Sequence, residues 1–499
     1  MNALPAAEPA AAPATRTPWH APLRSTLLFL AVPALALSPT LAFDARMPPF
    51  LLYVVAAAIG LALVWRSASD PEWLLAVVTL YLPFKKLYVA PIAPGINGTN
   101  ALLMLLVFAC IAQAARGSKA SSRVALAGTR VVAAYAFWSG LSMLTAVFAV
   151  GGGEFLSTYA VDIKGWIDQF LIFFLFAYLV RDGDMARRMV VYMMLGIALA
   201  LASGTSEWLD KRHVESIERS RVLGPQVQPN DYGAFLVYGS SFFIAILLRH
   251  TGRVSTWVTA APALALIFKM LLATFSRGAY LAVALGGVVA AWLRGRILMV
   301  SGAVALALLV SLVPEIVPES LSARMSQTGD VESEASLDTS SRTRLVLWHA
   351  AIDMTFENPV LGKGFKMFPV YKGRYTEYDV PEGDNHNMFL YLSSQMGLPA
   401  LLLFLLIMWR LFRAGLEVYR RSPEPFAATI GMAAAAMVPA VLMTNMFGSR
   451  MVDIGVSVDV WVTLAVIARL HAELPAKGPA WSVASPAVAT PVALERRAP

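Results

Sequence analysis

"HNMFLYLSSQMGLPALLLFLLIMWR", residues 386–410, opens on a histidine flanked by Asn385 and Asn387 and closes on an arginine, with an almost wholly apolar run between them. A helix rises 1.5 Å per residue, so about 20 such residues cross the hydrocarbon of a bilayer. The stretch therefore reads as a membrane-spanning helix over 387–411, with His386 at its mouth. Apolar runs of 15 to 24 residues recur along most of the 499-residue chain, which is 58% hydrophobic, only 14% charged, and has a mean hydropathy of +0.62. A soluble protein carries about 25% charged residues. These values exclude a soluble fold and predict an all-α polytopic integral membrane protein with about 12–14 transmembrane helices.

Fourteen stretches qualify as candidate spans: 26–43, 48–65, 72–88, 99–115, 131–150, 166–180, 189–205, 232–248, 256–275, 279–293, 298–317, 387–411, 426–447 and 452–470. The Ala/Pro-rich ends, 1–24 and 472–499, read as disordered cytoplasmic tails. Between them lie helices one to eleven (25–317), a long outer connection (318–385) and helices twelve to fourteen (386–471). Placing the N-terminus inside puts every strongly basic short connection on one side, including 116–130, 181–188, 249–253, 294–296 and 410–421. That is the pattern of cytoplasmic loops. It also accounts for the net charge of +8 without nucleic acid.

Cys110 is the only cysteine, so an internal disulfide and a thiolate metal cluster are both excluded. The six histidines are scattered, with no HExxH spacing, so neither a metal nor another cofactor is expected. Within the outer connection, Arg342–Thr355 has the spacing of an amphipathic helix with Leu345, Trp348 and Ile352 on one face.

Polar groups near lipid are costly and each needs a reason. Arg221 and Asn230 stand in "SRVLGPQVQPNDYGAF", 220–235, an irregular approach to a span. Arg277 stands in "TFSRGAY", 274–280, where two apolar helices meet with almost no linker. Arg342 and Arg344 start the loop helix, where a cation is locally unfavourable unless an anion offsets it. Lys269 lies inside a span, about six residues from its end, within reach of the surface by snorkelling. Singly, each has a structural account as a turn, a headgroup contact or a solvated face. Together, the arginines share His386's side of the membrane. Guanidinium groups grip phosphate in a bidentate fork and stay charged, which suits a lipid-linked phosphate or diphosphate. Asp384 or Asn385 is the expected helix cap, leaving His386 for chemistry.

The order of these stretches resembles the O-antigen ligase and polymerase superfamily. His386, Asn387 and Gly397 match its late motif of His, then Asn, Ser or Gln, nine residues, then Gly; Ala400 stands where a small residue often follows. "SRGAYL" (276–281), "RVLGPQVQPNDYGAF" (221–235) and "RTRLVLWHAAIDMTFENPVLGKGF" (342–365) are similar to its other segments, and together these cover roughly 220–400. "KKLYVAPIAPGINGTN" (85–100) is similar to ligases associated with exosortase systems, which leaves the acceptor open.

The resemblance implies a glycosyltransferase in the bacterial inner membrane with its site facing the periplasm. Its donor would be a glycan on undecaprenyl diphosphate and its acceptor a hydroxyl of lipid A-core, an exported protein or a growing glycan. The reaction would be inverting and metal-independent. His386 would be the base, Arg221 and Arg277 would hold the diphosphate, and Arg342, Arg344, Asp384, Asn387 and Asn230 would rank second. A repeat-unit polymerase shares this chemistry. A transporter or flippase of polyprenyl-linked sugars would instead place its charges at the midplane.

Overall fold

The computed structural model describes residues 62–87, 97–116, 128–214, 216–300, 339–376 and 380–475. The expected span 26–43, most of 48–65 and 298–317, residues 318–338 and the tail beyond 475 lie outside the described residues. The chain divides into two units, Met1–Arg66 and Ser67–Pro499. Only 62–66 of the first are described, and all the helices named below belong to the second.

The described secondary structure is entirely helical. In chain order the main helices are α1 (Pro71–Tyr81), α2 (Gly98–Ala115), α3 (Thr129–Val150), α4 (Gly152–Leu179), α5 (Gly183–Lys211), α6 (Pro229–Arg249), α7 (Val254–Thr274), α8 (Arg277–Arg294), α9 (Thr339–Glu357), α10 (Met388–Arg421), α11 (Pro425–Met446) and α12 (Ile454–Ala472). Among the described residues, eight of these are long and apolar enough to cross a membrane: α2, α3, α5, α6, α7, α10, α11 and α12. The chain is thus an all-α, multi-pass membrane protein. Helix α8 has the length to cross but begins and ends on arginine. Helix α1 stops at Tyr81 and passes into a short 3-10 turn, so Lys85 and Lys86 lie beyond it rather than inside a span over 72–88.

Local chemistry sets the helix starts. Proline stands in the first turn of α1, α6 and α11, where its missing N–H costs nothing. Side chains cap the exposed amides: Asp182 accepts from Met185 N at 2.8 Å, Gln228 from Asp231 N at 2.6 Å, and Asp453 from Gly455 N at 2.8 Å.

Helix α12 is the buried axis, with 94% of its apolar stretch inside the protein against 17% for α2. It packs on α4 and α5, while α11 packs between α10, α8 and α6. A polar seam inside this core is satisfied internally: Gln169 accepts from Trp461 Nε1 at 3.0 Å and donates to the Val452 carbonyl at 3.1 Å. That matters where neither water nor lipid can supply a partner.

The expected single span over 387–411 is broken. Gly397 has φ 82° and ψ 167°, outside any helix. The rings of Phe389 and Phe404 are 6.4 Å apart. Fifteen positions of straight helix would separate them by about 22 Å. The chain therefore folds sharply at Gly397, and the stretch after it, 398–421, is by itself long enough to cross a bilayer at about 36 Å. The break strands carbonyls that a continuous helix would have used, and the 359–365 segment takes them up. Lys363 N donates to Ser394 O at 2.9 Å and Gly364 N to Gln395 O at 2.9 Å, while Leu398 N returns a bond to Pro359 O at 2.8 Å. Ser142 Oγ and Trp138 Nε1 of α3 donate to Gln395 O and Met396 O, each at 2.9 Å. A Cβ on residue 397 would overlap the Val360 carbonyl, so both the angle and the close approach require glycine.

Candidate functional site

The first turn of α6 gathers cations from three separate connections. Asn230 Oδ1 accepts from Arg221 Nη2 at 2.9 Å. Asp231 receives Arg450 Nη1 at 2.6 Å and Lys86 Nζ at 3.4 Å. Lys86 also pairs with Asp453 at 2.7 Å, as does Lys85. Burial works against the charge on Lys86, but Asp453 and Asp231 outweigh it and raise its pKa. Asp453 shows the reciprocal balance: burial raises it, and the two lysines overcome that to bring it to about 2.

Arg221 ties this hub to the α7–α8 junction. Its Nε donates to the carbonyl of Thr274, the last residue of α7, at 2.9 Å, and its Nη1 meets Glu218 at 3.3 Å. Phe275 then turns the chain in the left-handed region at φ 53°, and Arg277 opens α8. A Cβ on Gly278 would stand 3.2 Å from Phe447, so the first turn of α8 lies against the start of the α11–α12 connection, three residues before Arg450.

The same connection reaches the histidine. Ser449 Oγ donates to Asp384 Oδ1 at 2.9 Å, and Asp384 Oδ2 lies 3.7 Å from His386 Nδ1. Asn385 and Asn387 fix the loop from either side. Asn385 is fully buried; its carbonyl accepts from Trp348 Nε1 of α9 at 2.9 Å and its Oδ1 from Asn387 N at 3.1 Å. Asn387 Oδ1 caps α10, accepting from Phe389 N at 2.9 Å and Leu390 N at 3.2 Å. His386 is thereby held at φ 53°. A non-glycine residue pays about 1–3 kcal/mol for such a conformation, which persists only where its surroundings enforce it.

Burial depresses the His386 pKa below the ordinary imidazole value. Asp384 opposes that, while Arg344 and Arg450 push further down and Glu382 pulls weakly back. The imidazole is therefore neutral at pH 7 and able to accept a proton. Arg344 and Trp348 stand four apart on α9 and share a face, whereas Arg342, two positions before Arg344, lies on an exposed part of the helix.

The structure thus brings His386, Asp384, Asn387 and Arg344 together in one loop–helix corner. It brings Arg221 and Asn230 to the junction that carries Arg277, and Asp231–Arg450–Ser449 joins the two groups. Two expectations are corrected. The cap of α10 is Asn387, not Asp384 or Asn385, because Asp384 is engaged by Ser449 and Asn385 is turned into the loop. The buried face of α9 is Leu347, Ala350, Ala351 and Met354, while Ile352 is exposed; alanines at helical spacing pack closely but carry little hydropathy signal. Lys269 is exposed and sits 4.5 Å over the Trp208 ring, a cation–π contact.

Arg450, Ser449, Asp231, Lys86 and Asp453 were not singled out from the sequence. Arg450 carried the same signal as Arg277: "NMFGSRM", 445–451, is also a short junction between apolar runs with an arginine in it.

Residues 262–405 match the family model for O-antigen ligase. The match spans 144 of the 499 residues and is a likeness to the O-antigen ligase and polymerase superfamily. The matched domain runs from α7 into the stretch beyond the Gly397 break and contains Arg277, Arg342, Arg344, Asp384, His386, Asn387 and Gly397. Arg221, Asn230, Asp231 and Arg450 lie outside it. No curated protein matches the chain.

Proposed function

We propose that this protein transfers a glycan from undecaprenyl diphosphate to an acceptor hydroxyl on lipid A-core or an exported protein, at the periplasmic face of the bacterial inner membrane. His386 accepts the hydroxyl proton at Nε2, since Nδ1 is turned to Asp384. The freed oxygen attacks the anomeric carbon, its bond forms as the bond to the diphosphate oxygen breaks, and the configuration inverts. Undecaprenyl diphosphate leaves with the bonding pair. Arg277 and Arg221 stabilise the charge that develops on it, the role fixed cationic donors fill best in a site shielded from water. Asp384 steadies the imidazolium until the proton is released. Arg344, in the same corner, and Arg342, on the exposed part of α9, are the further candidates to grip the glycan, and neither metal nor other cofactor is invoked.

The observation that carries this reading is His386 itself. It is neutral, locked in a strained backbone conformation by two asparagines, and set in the connected polar cluster that also holds the arginines. A repeat-unit polymerase would use the same residues with another lipid-linked unit as acceptor. The test is a purified-enzyme assay in which undecaprenyl-diphosphate glycan is offered with lipid A-core, a pilin-like protein or repeat-unit lipid in separate reactions. Product with either of the first two, lost in His386→Ala, supports ligation. Product only with repeat-unit lipid makes it a polymerase, and full transfer by His386→Ala overturns the mechanism.

A further inference from the structure

Gly397 turns the chain so that the spanning stretch 398–421 begins beside the outer connection. Leu398 N donates to Pro359 O at 2.8 Å, and the Val360 carbonyl lies where a Cβ on residue 397 would stand. Residues 359–361 therefore sit at the level of the first turn of that span. Val360 and Leu361 are exposed there, and Phe356, near the end of α9, is 79% exposed.

Two features say what covers these side chains. The exposed apolar face of the span is Leu398, Leu402, Leu405 and Trp409, all on one side of a helix. It stops at the exposed Arg410 and Arg413, so from Leu398 to Trp409 it covers only about 17 Å. The hydrocarbon of a bilayer is about 30 Å thick. Apolar surface must therefore continue on this side beyond Leu398, and Val360, Leu361 and Phe356 follow directly. The second feature is the division of α9 itself. Its inner face, Leu347, Ala350, Ala351 and Met354, packs on Phe368 and Leu390. On its exposed side, Ile352 and Phe356 form one flank, a turn apart, and Asp353 and Glu357 form the next. Glu357 takes Lys363 Nζ at 2.6 Å and the Tyr375 hydroxyl, which ties that charged flank to polar groups of the loop. An apolar flank beside a charged one is the make-up of a helix that lies in a membrane interface.

Independently of the reaction at His386, we propose that Ile352, Phe356, Val360 and Leu361 form a membrane-docking edge that enters the leaflet on the His386 side, with lipid acyl chains as its partner. A contiguous exposed apolar patch rimmed by charge marks such a surface. The edge continues the lipid-facing side of the span across the Gly397 break. It holds α9 on the bilayer, and α9 supplies Trp348 to the Asn385 carbonyl beside His386. The corner that carries the histidine is thereby fixed at the membrane surface.

The test is spin-label accessibility in the full-length protein reconstituted into phosphatidylcholine vesicles. Cys110 is the only cysteine, so a Cys110→Ala background takes a single label at Phe356→Cys, Val360→Cys or Asp353→Cys. Oxygen concentrates in hydrocarbon, whereas a nickel chelate stays in water. The ratio of oxygen to nickel collision rates is expected to be several-fold higher at 356 and 360 than at 353. Equal ratios at the three positions overturn the proposal, because the edge then lies in water. Low collision rates with both reagents at 356 and 360 also overturn it, because protein and not lipid then covers the edge.

Discussion

At the end of the bundle where α1 and α5 begin, Arg188 meets Glu72 through two nitrogens, at 2.5 and 2.7 Å, and on α10 and α12 Glu417 takes both Arg421 and His471. Arg294 nearby donates to the carbonyl of Leu248 at the end of α6. These basic groups meet a carboxylate or a helix-end carbonyl, and the backbone around them is regular. At the opposite end, Arg221, Arg450, Lys85 and Lys86 gather with Asp231 and Asp453 around the first turn of α6. All four non-glycine residues with positive φ among the described residues lie there too: Val227, Phe275, Lys366 and His386. The first arrangement satisfies the fold. The second stores backbone strain that the fold alone does not need, the pattern expected at a functional site.

The sharpest way to break this contrast is His386→Ala. We expect transfer to fall by about 10²–10⁴-fold, the usual worth of a positioned base, with insertion and abundance unchanged. Arg277→Ala should cost about 10²–10³-fold in turnover, as removal of one fixed donor to a developing anion does. Both are read as product formed per unit of purified enzyme, and wild-type rates in either variant sink the assignment.

Gly397→Ala tests the fold beneath the site. A side chain there collides with the Val360 carbonyl and forces a left-handed conformation. A loss of several kcal/mol is expected, seen as a lower unfolding temperature in detergent. Retained stability would mean that the break is not needed.

The pH profile sharpens the electrostatic side. Because the His386 pKa is lowered, the acid limb of activity should lie below the ordinary imidazole value of about 6.5. Arg344→Gln removes a cation that disfavours the imidazolium, so the limb should move to higher pH. Asp384→Asn removes an anion that favours it, so the limb should move to lower pH. Shifts in the same direction, or none, would refute His386 as the titrating base. The smallest effect belongs to the other end. Arg188→Gln loses a pair whose arginine is about half exposed, so at most about 1 kcal/mol of stability and little activity should go with it.

Much of this was legible in the chain itself. Runs of apolar residues long enough to cross a bilayer dictate an all-helical membrane protein whatever their packing. The basic connections, the arginines at 221 and 277 and the histidine spacing to Gly397 also stand in the sequence. The break at Gly397 did not, because its flanks are as apolar as any span and the hydropathy signal runs straight through it. The α9 face escapes periodicity for a related reason: Leu345 and Ile352 are more apolar than the small alanines that pack closest. Arg450 stands in a junction like the one at Arg277, but no local pattern tells what either side chain meets.

The sequence by itself determined composition, helix class, the domain match and the candidate base, because each depends on residue type and short spacing. The tertiary structure decided which charges share a cluster. Asp231 and Arg450 are 219 positions apart, Asp384 and Ser449 are 65 apart, and only packing brings them to 2.6 and 2.9 Å. Coulombic and hydrogen-bond energies fall steeply with distance in space and take no account of distance along the chain.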